Sequence, residues 1–376
     1  LNILNKKTID KAFNTISNIE YDSLKSWIRL ILLFTIGVIG TVGMWSVVVV
    51  MPAIEKEFNI DRGQASLLYA TTMVGFGLGN FLIGKIIDKF GLKFPIIFAI
   101  IILVSSYLIA MISTEFWHLL ILQIFMGTAA ATFFGPSMAD IGNFFEKRRG
   151  LAVAIIASAN YVAGAFWPLI ISYFLEYTTW KEVYLYIAII CMVIMFPIAL
   201  FLKNNVASNI SNNDLSTQGN SLTNLSPNTL QILLILAGIG CCLAMAMPQV
   251  HIVALCVERG FGLSIGAEIL AVMLFSGMIS RVGFGFLSDK IGPVYTLFIG
   301  SLLQMLSLVF FLPFDSQLSL YIVSLMFGLS QGGIVPAYAM IIRKYLPIEQ
   351  VGERVGLVIM ATIVGMGLGG WMSGEI

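Results

Sequence analysis

Residues Leu274–Pro293 read LFSGMISRVGFGFLSDKIGP, an apolar stretch that carries one arginine, Arg281, and ends in a polar loop. The apolar run begins near Gly266 and ends at Asp289. At about 1.5 Å per helical residue this is roughly 34 Å, enough to cross a bilayer core of about 30 Å. Arg281 would then lie about 12 Å from the polar end, close to the midplane. A guanidinium at that depth costs about 2.5 to over 10 kcal/mol, so we expect it to face water or an anion.

The composition is that of a polytopic membrane protein. The chain has 376 residues, of which 58% are hydrophobic and 11% charged, and its mean hydropathy is +0.93. Soluble domains have about 25% charged residues. A net charge of +1 favours neither nucleic acid nor an acidic partner. The four cysteines lie in apolar runs without C-x-x-C spacing, so we predict no disulfide, metal site or cofactor.

Eleven apolar runs of spanning length predict the domain organisation. They lie near residues 30–52, 65–87, 94–113, 118–141, 150–175, 183–202, 229–256, 267–288, 294–312, 318–342 and 355–376. We predict a tail at 1–28, a six-helix bundle at 29–202, a flexible Asn/Ser/Thr-rich linker at 203–228 and a second helix bundle at 229–376.

Lysine and arginine positions predict the orientation in the membrane. Of the 21 such residues, sixteen fall in the tail, the linker and the alternate loops that share their side, whereas four fall in the opposite loops. Cytoplasmic loops carry the excess of positive charge. The pattern therefore predicts a multi-pass protein of the cytoplasmic membrane with a cytoplasmic N-terminus.

An internal repeat relates the two halves. Gly84–Gly91 (GKIIDKFG) recurs as Gly285–Gly292 (GFLSDKIG) at an offset of 201, and Gly127 recurs as Gly328 at the same offset. Spans 1–6 therefore correspond to spans 7–12 in the same order, as in two parallel six-helix bundles. By this logic we expect a twelfth span after Ile376.

Two parallel six-span halves, each with G-x-x-x-D-[RK]-x-G between its second and third spans, resemble the major facilitator superfamily. The stretch Phe144–Ala154 (FFEKRRGLAVA) is similar to a segment at the start of span 5 in the superfamily's monocarboxylate-porter branch. The resemblance implies an all-α membrane protein of two six-helix bundles, with eleven of twelve transmembrane helices present, that works by alternating access.

Span 8 carries a further likeness to that branch. Its R-x-x-x-G-x-L-x-D pattern is matched by Arg281, Gly285, Leu287 and Asp289. His251 matches a histidine common in bacterial members. Animal members usually place an acid one turn before the arginine, and here that position is Gly277.

Six residues are candidates for substrate binding, and each has a structural alternative. Arg281 suits a carboxylate, because a planar guanidinium meets it with two parallel bonds; the alternative is an arginine bonded to helix carbonyls or to an acid. His251 suits a proton relay, or is a buried neutral histidine bonded to a carbonyl. Buried polar side chains in spans 2, 5 and 10 either line a cavity or join helices: Tyr69, Asn160, Tyr161 and Gln331.

The polar loops are candidates for a reversible latch on the inner face. In the superfamily such loops hold that face shut, and here the candidate residues are Lys85, Asp88, Lys89, Asp140, Arg149 and Asp289. Exposed ion pairs contribute under about 1 kcal/mol each, which suits a latch that opens. The alternative is that these charges only set the topology.

The sequence thus predicts a secondary transporter and not an enzyme, since it has no phosphate-cradling loop, nucleophile elbow or metal triad. We expect a monomer in a lipid bilayer that moves a small carboxylate, such as lactate or pyruvate, together with H⁺. Two alternatives remain open: a carboxylate exchanger of the oxalate–formate type, and a sensor built on the transporter fold.

Overall fold

The structure is a computed structural model that describes residues 21–202, 226–313, 316–346 and 351–375. The described chain is helical throughout and forms eleven units, here called spans 1 to 11. Their bounds are Leu24–Gly40 with Val42–Phe58 (span 1), Arg62–Phe90 (2), Lys93–Met111 (3), Phe116–Ile141 (4), Arg149–Leu175 (5), Trp180–Ile190 with Phe196–Phe201 (6), Pro227–Glu258 (7), Leu263–Ile291 (8), Pro293–Phe310 (9), Gln317–Gln331 with Ile334–Tyr345 (10) and Val351–Glu375 (11). Within the described residues, ten helical stretches, one in each span except span 2, are long and apolar enough to cross a membrane.

Both halves begin with a helix capped by a serine. The Ser23 hydroxyl accepts from the backbone N–H of Ser26, so span 1 begins at Leu24, inside the stretch 1–28 predicted as a tail. The Ser226 hydroxyl accepts from the N–H of Thr229 at 3.2 Å, and span 7 begins two residues before its predicted start. Serine at this position satisfies an N–H group that the first helical turn leaves unpaired.

Three spans are interrupted where the backbone cannot continue as a regular α-helix. Span 1 breaks at Thr41, whose hydroxyl donates to the Gly37 carbonyl at 2.7 Å. Span 6 has a π-helical segment at Cys191–Met195, just before Pro197, a residue that cannot donate a backbone hydrogen bond. Span 10 breaks between Gln331 and Ile334, at two glycines.

The predicted repeat is visible in how helices approach each other. A Cβ on Gly127 of span 4 would lie 2.0 Å from the Thr72 carbonyl oxygen of span 2, and a Cβ on Gly328 of span 10 would lie 2.0 Å from the Met273 carbonyl oxygen of span 8. Both pairs are related by the offset of 201. Each half therefore brings the same two helices together through a glycine, as small-residue interfaces in membranes do.

The two halves meet mainly along span 2 against span 11 and along span 5 against span 8. Small residues again permit the approach: a Cβ on Gly370 of span 11 would lie 2.5 Å from the Tyr69 ring of span 2. At the end that carries the 58–62 and 258–263 turns, Arg62 of the first half pairs with Glu258 of the second at 2.6 Å. The Ser66 hydroxyl also donates to the Trp371 carbonyl there.

A groove of about 520 Å³ lies between spans 7, 9 and 10, away from the contact between the halves. Its lining includes Ser301, Gln304 and Leu308. The residues 201 positions earlier are fully buried, and one of them, Tyr107, packs edge-on against Tyr184 of span 6. The groove thus occupies the face that span 6 covers in the first half.

Candidate functional site

Arg281 lies in span 8 where that helix contacts span 5 and span 10. Its Nη1 donates to the Ala157 carbonyl at 2.8 Å and its Nε to the Gly332 carbonyl at 3.4 Å. The side chain is half-buried. Among the described residues, no carboxylate oxygen lies within 4.0 Å of this guanidinium, whereas other arginines in that part of the chain do form ion pairs. The positive charge is therefore held by neutral carbonyl groups, one from each half of the molecule.

The interruption of span 10 supplies one of these carbonyls. A Cβ on Gly332 would lie 2.4 Å from the Arg281 backbone nitrogen, and a Cβ on Gly333 would lie 2.3 Å from the Cβ of the Phe284 side chain. Two glycines in sequence allow the chain to cross this close to span 8. The Gly332 carbonyl then faces the guanidinium.

Tyr161 of span 5 packs against the same charge. The Arg281 Cζ lies 4.5 Å from the centre of the Tyr161 ring, a distance at which the ring face attracts a cation. A Cβ on Gly277 would lie 2.8 Å from Cε1 of that ring. An acid at this position, as in the animal sequences mentioned above, would displace the ring. Gly277 therefore provides the space in which tyrosine lies against arginine.

Gln331 of span 10 lies close to Tyr161 and pairs with Gln249 of span 7. The Gln249 Nε2 donates to the Gln331 Oε1 at 2.5 Å. The Gln331 Nε2 is 3.3 Å from the Cβ that Gly277 would carry, which places the amide beside Tyr161. Gln249 was missed from the sequence, although an amide next to Pro248 in an apolar run is a signal that could have identified it.

His251 and Tyr69 lie together elsewhere, at the contact between spans 2, 7 and 11. The His251 Nε2 is 2.7 Å from the Gly370 carbonyl, and its Nδ1 is buried without a partner among the described residues. The Tyr69 hydroxyl is likewise buried and unpartnered there. His251 therefore makes the carbonyl contact that we expect of a buried structural histidine. Its other ring nitrogen, Nδ1, has no partner among the described residues and could still exchange a proton.

Asn160 joins helices within the first half. Its side-chain oxygen accepts from the Trp45 indole N–H at 3.0 Å, and its carbonyl oxygen is 3.1 Å from the same group. A Cβ on Gly164 would meet both Trp45 and Leu274 of span 8. Asn160 therefore fixes the tryptophan behind the segment that carries Ala157 and Tyr161.

At the end of the bundle opposite to the Arg62–Glu258 pair, Asp140 pairs with Arg29 of span 1. The two bonds measure 2.7 and 2.9 Å, both side chains are buried, and the guanidinium lies over the Phe144 ring. Asp289 is exposed and makes no ion pair within the described ranges. The side chains of Lys85, Asp88, Lys89 and Arg149 lie outside the described residues.

Asp22 attaches the loop between spans 4 and 5 to the start of span 1. Its carboxylate accepts from the backbone N–H groups of Glu146, Lys147 and Arg148 at 3.0 to 3.3 Å. Some desolvation raises the pKa of this carboxyl, but the three N–H donors outweigh it and lower the pKa below its ordinary value. The first residues of the segment 144–154, which is similar to a segment of monocarboxylate porters, are thus held against the start of span 1.

No three metal-ligand side chains converge anywhere in the described part of the chain. The Arg281 guanidinium, which is bonded to two neutral carbonyl groups, has the charge and the N–H donors that suit a small anion.

The sequence profile of the Major Facilitator Superfamily matches residues 33–374. The chain belongs to this superfamily. It is 23% identical over 295 residues to the MFS transporter asaE of Aspergillus flavus; the match covers 77% of this chain and 65% of asaE, less than two thirds of that relative. It is 25% identical over 347 residues to monocarboxylate transporter 13 of Rattus norvegicus, covering 90% of this chain and 78% of the relative.

Solved structures agree on the fold. A bacterial homologue of the human lysosomal transporter Spinster, in an inward-facing and unoccupied conformation, superposes with a TM-score of 0.74 at 15% identity and covers 94% of this chain and 83% of its own. The chain thus has the multi-pass helical fold of this superfamily, and the predicted fold class is confirmed.

Proposed function

We propose that this transporter carries a small monocarboxylate together with a proton by alternating access. The observation that supports this most is the guanidinium of Arg281, which lies between the two halves with only neutral acceptors within the described chain. A carboxylate would offer two charged oxygens to the same fork of N–H groups, and charge-assisted bonds are about twice as strong as neutral ones. The likeness to monocarboxylate transporter 13 supports the same substrate class.

The bond from Arg281 to Ala157 suggests how binding would be linked to movement. It is one of the contacts between span 8 of the second half and span 5 of the first. A substrate carboxylate that takes this position on the guanidinium would release the Ala157 carbonyl. The bundles at 29–202 and 229–376, joined by the linker at 203–228, would then be freer to rock about the site.

The remaining predicted residues take supporting roles in this proposal. Tyr161 and Gln331 shape the binding site, Asn160 holds span 5 in place, and His251 with Tyr69 carries the proton at the contact of spans 2, 7 and 11. Asp289 and the loop residues Lys85, Asp88, Lys89 and Arg149 form the inner latch, whereas Asp140, which pairs with Arg29, joins span 4 to span 1 within the first half. We expect a monomer in the cytoplasmic membrane with its N-terminus inside.

Uptake into proteoliposomes tests the proposal. With labelled lactate and an inward proton gradient, the protein should accumulate lactate, and Arg281→Lys should lose at least about tenfold in uptake, because lysine cannot replace a bidentate fork. Arg343→Lys is the matched control, since Arg343 is exposed at the end of span 10. Equal uptake by Arg281→Lys would contradict the role of Arg281. Counterflow without any effect of the proton gradient would indicate an exchanger.

A further inference from the structure

The amide pair beside the guanidinium has two hydrogen-bonding groups left over. Gln249 and Gln331 are 2% and 1% exposed. Their mutual bond leaves the Gln249 Oε1 and the Gln331 Nε2 buried without partners among the described residues. If both amides were turned round, one NH₂ group and one carbonyl would still remain unpaired. The pair therefore presents one donor and one acceptor however its atoms are assigned.

The Gln331 amide lies beside the Tyr161 ring that packs against Arg281. The position of a Gly277 Cβ is 3.3 Å from the Gln331 Nε2 and 2.8 Å from the Tyr161 ring, and that ring lies 4.5 Å from the Arg281 Cζ. The amides come from spans 7 and 10, and the tyrosine comes from span 5 of the other half. Parting of the halves would expose the amides on the side where the substrate enters.

We propose that the Gln249–Gln331 pair is a specificity subsite that selects carboxylates bearing a hydroxyl group on the carbon next to the carboxylate. This rests on the proposed function, in which Arg281 holds the carboxylate. A hydroxyl can donate one hydrogen bond and accept another, so it matches in kind the acceptor and the donor that the pair leaves over. A 2-keto group can only accept, and a methylene group does neither. A site whose buried polar groups are left unpaired by an analogue rejects that analogue strongly.

Competition among three acids of equal length and charge tests the subsite. Lactate, pyruvate and propionate differ only in the group on the second carbon, and each is measured as an inhibitor of labelled lactate uptake by the full chain in proteoliposomes. We expect lactate to be favoured over propionate by at least about tenfold, with pyruvate in between. In Gln331→Leu and Gln249→Leu the preference for lactate over propionate should fall below about threefold, because the variant lacks one of the two amides that the hydroxyl would meet.

The control variant is Gln304→Leu. Gln304 is also 2% exposed, but it donates to the Cys241 carbonyl in the groove of the second half, so its loss should leave the ranking unchanged. Direct binding of lactate and propionate to the purified parent protein gives the ranking without any variant. Equal binding of the two acids by the parent, or an unchanged ranking in both glutamine variants, would overturn the subsite. Failure of the parent to bind any of the three acids would instead contradict the proposed function and the subsite with it.

Discussion

At the scale of single residues, the candidate site is one guanidinium held by neutral groups, since Arg281 donates to the Ala157 and Gly332 carbonyls and packs on the Tyr161 ring. Arg281 stood out because an arginine in the middle of a long apolar run needs an explanation. Tyr161 and Gln331 were also named, and they lie beside it. Gln249 and the Ala157 carbonyl were not, because which helix faces which is decided by packing between segments far apart in sequence. The hydrogen bond from the Trp45 indole to Asn160 was not predicted for the same reason.

Gly277→Ala tests the packing of Tyr161 against Arg281. The added Cβ would lie 2.8 Å from the tyrosine ring and 3.3 Å from the Gln331 amide, so the ring must move away from the cation. A cation–π contact of about 1 kcal/mol corresponds to about a fivefold loss of apparent affinity for lactate. Gly283→Ala, on the same helix with nothing within 4 Å of its Cβ, should keep the parent affinity. Equal affinities in the two variants would contradict the arrangement.

At the scale of helices, apolar length and spacing predicted the spans, and small residues decide how they pack. The predicted bounds mostly agree with the structure to within a few residues, because the length of an apolar run directly reports the thickness it crosses. The interruptions at Thr41 and at Gly332–Gly333 were not predicted. A glycine in an apolar run can mark either a close contact between helices or an interruption of the helix. At Gly332–Gly333 the two are told apart only by the position of the neighbouring span 8.

Gly328→Ala tests the helix contact that the repeat duplicates. Its Cβ would lie 1.9 Å from the Ser276 hydroxyl and 2.0 Å from a backbone oxygen of span 8, so spans 8 and 10 must separate. We expect the free energy of unfolding to fall by about 1–3 kcal/mol, which would be seen as a lower melting temperature in detergent. Gly127→Ala, its equivalent in the first half, should behave alike. Gly240→Ala, where the Cβ meets nothing within 4 Å, should melt as the parent does. Three similar melting temperatures would refute this packing.

At the scale of the whole molecule, the halves are held together at one end by few polar contacts. Arg62 bridges Glu258 of the second half at 2.6 Å and lies 3.6 Å from Glu55 of its own half. The sequence repeat predicted two equivalent halves, but not which charges meet across them, since these charges lie in loops and helix ends that the repeat does not share. We infer that this ion pair biases the molecule towards the state closed at that end.

Arg62→Ala should shift the molecule towards opening at that end. An exposed pair is worth up to about 1 kcal/mol, so the open population should rise by up to about fivefold. The measurement is the rate at which a membrane-impermeant thiol reagent labels Ser66→Cys in a chain whose native cysteines are replaced. Lys181→Ala is the control, because Lys181 pairs with Glu57 inside the first half at 2.6 Å. Identical labelling rates in both variants would show that Arg62 does not hold the halves.

The central claim is that Arg281 binds its ligand through the ligand's negative charge. The most direct test compares equilibrium binding of lactate and of lactamide, its uncharged counterpart, to the purified parent protein and to Arg281→Gln. We predict that the parent binds lactate at least about tenfold more tightly than lactamide, because the charge-assisted fork is lost in the amide, and that the variant does not distinguish the two. A variant that still prefers lactate as strongly as the parent does would contradict the account.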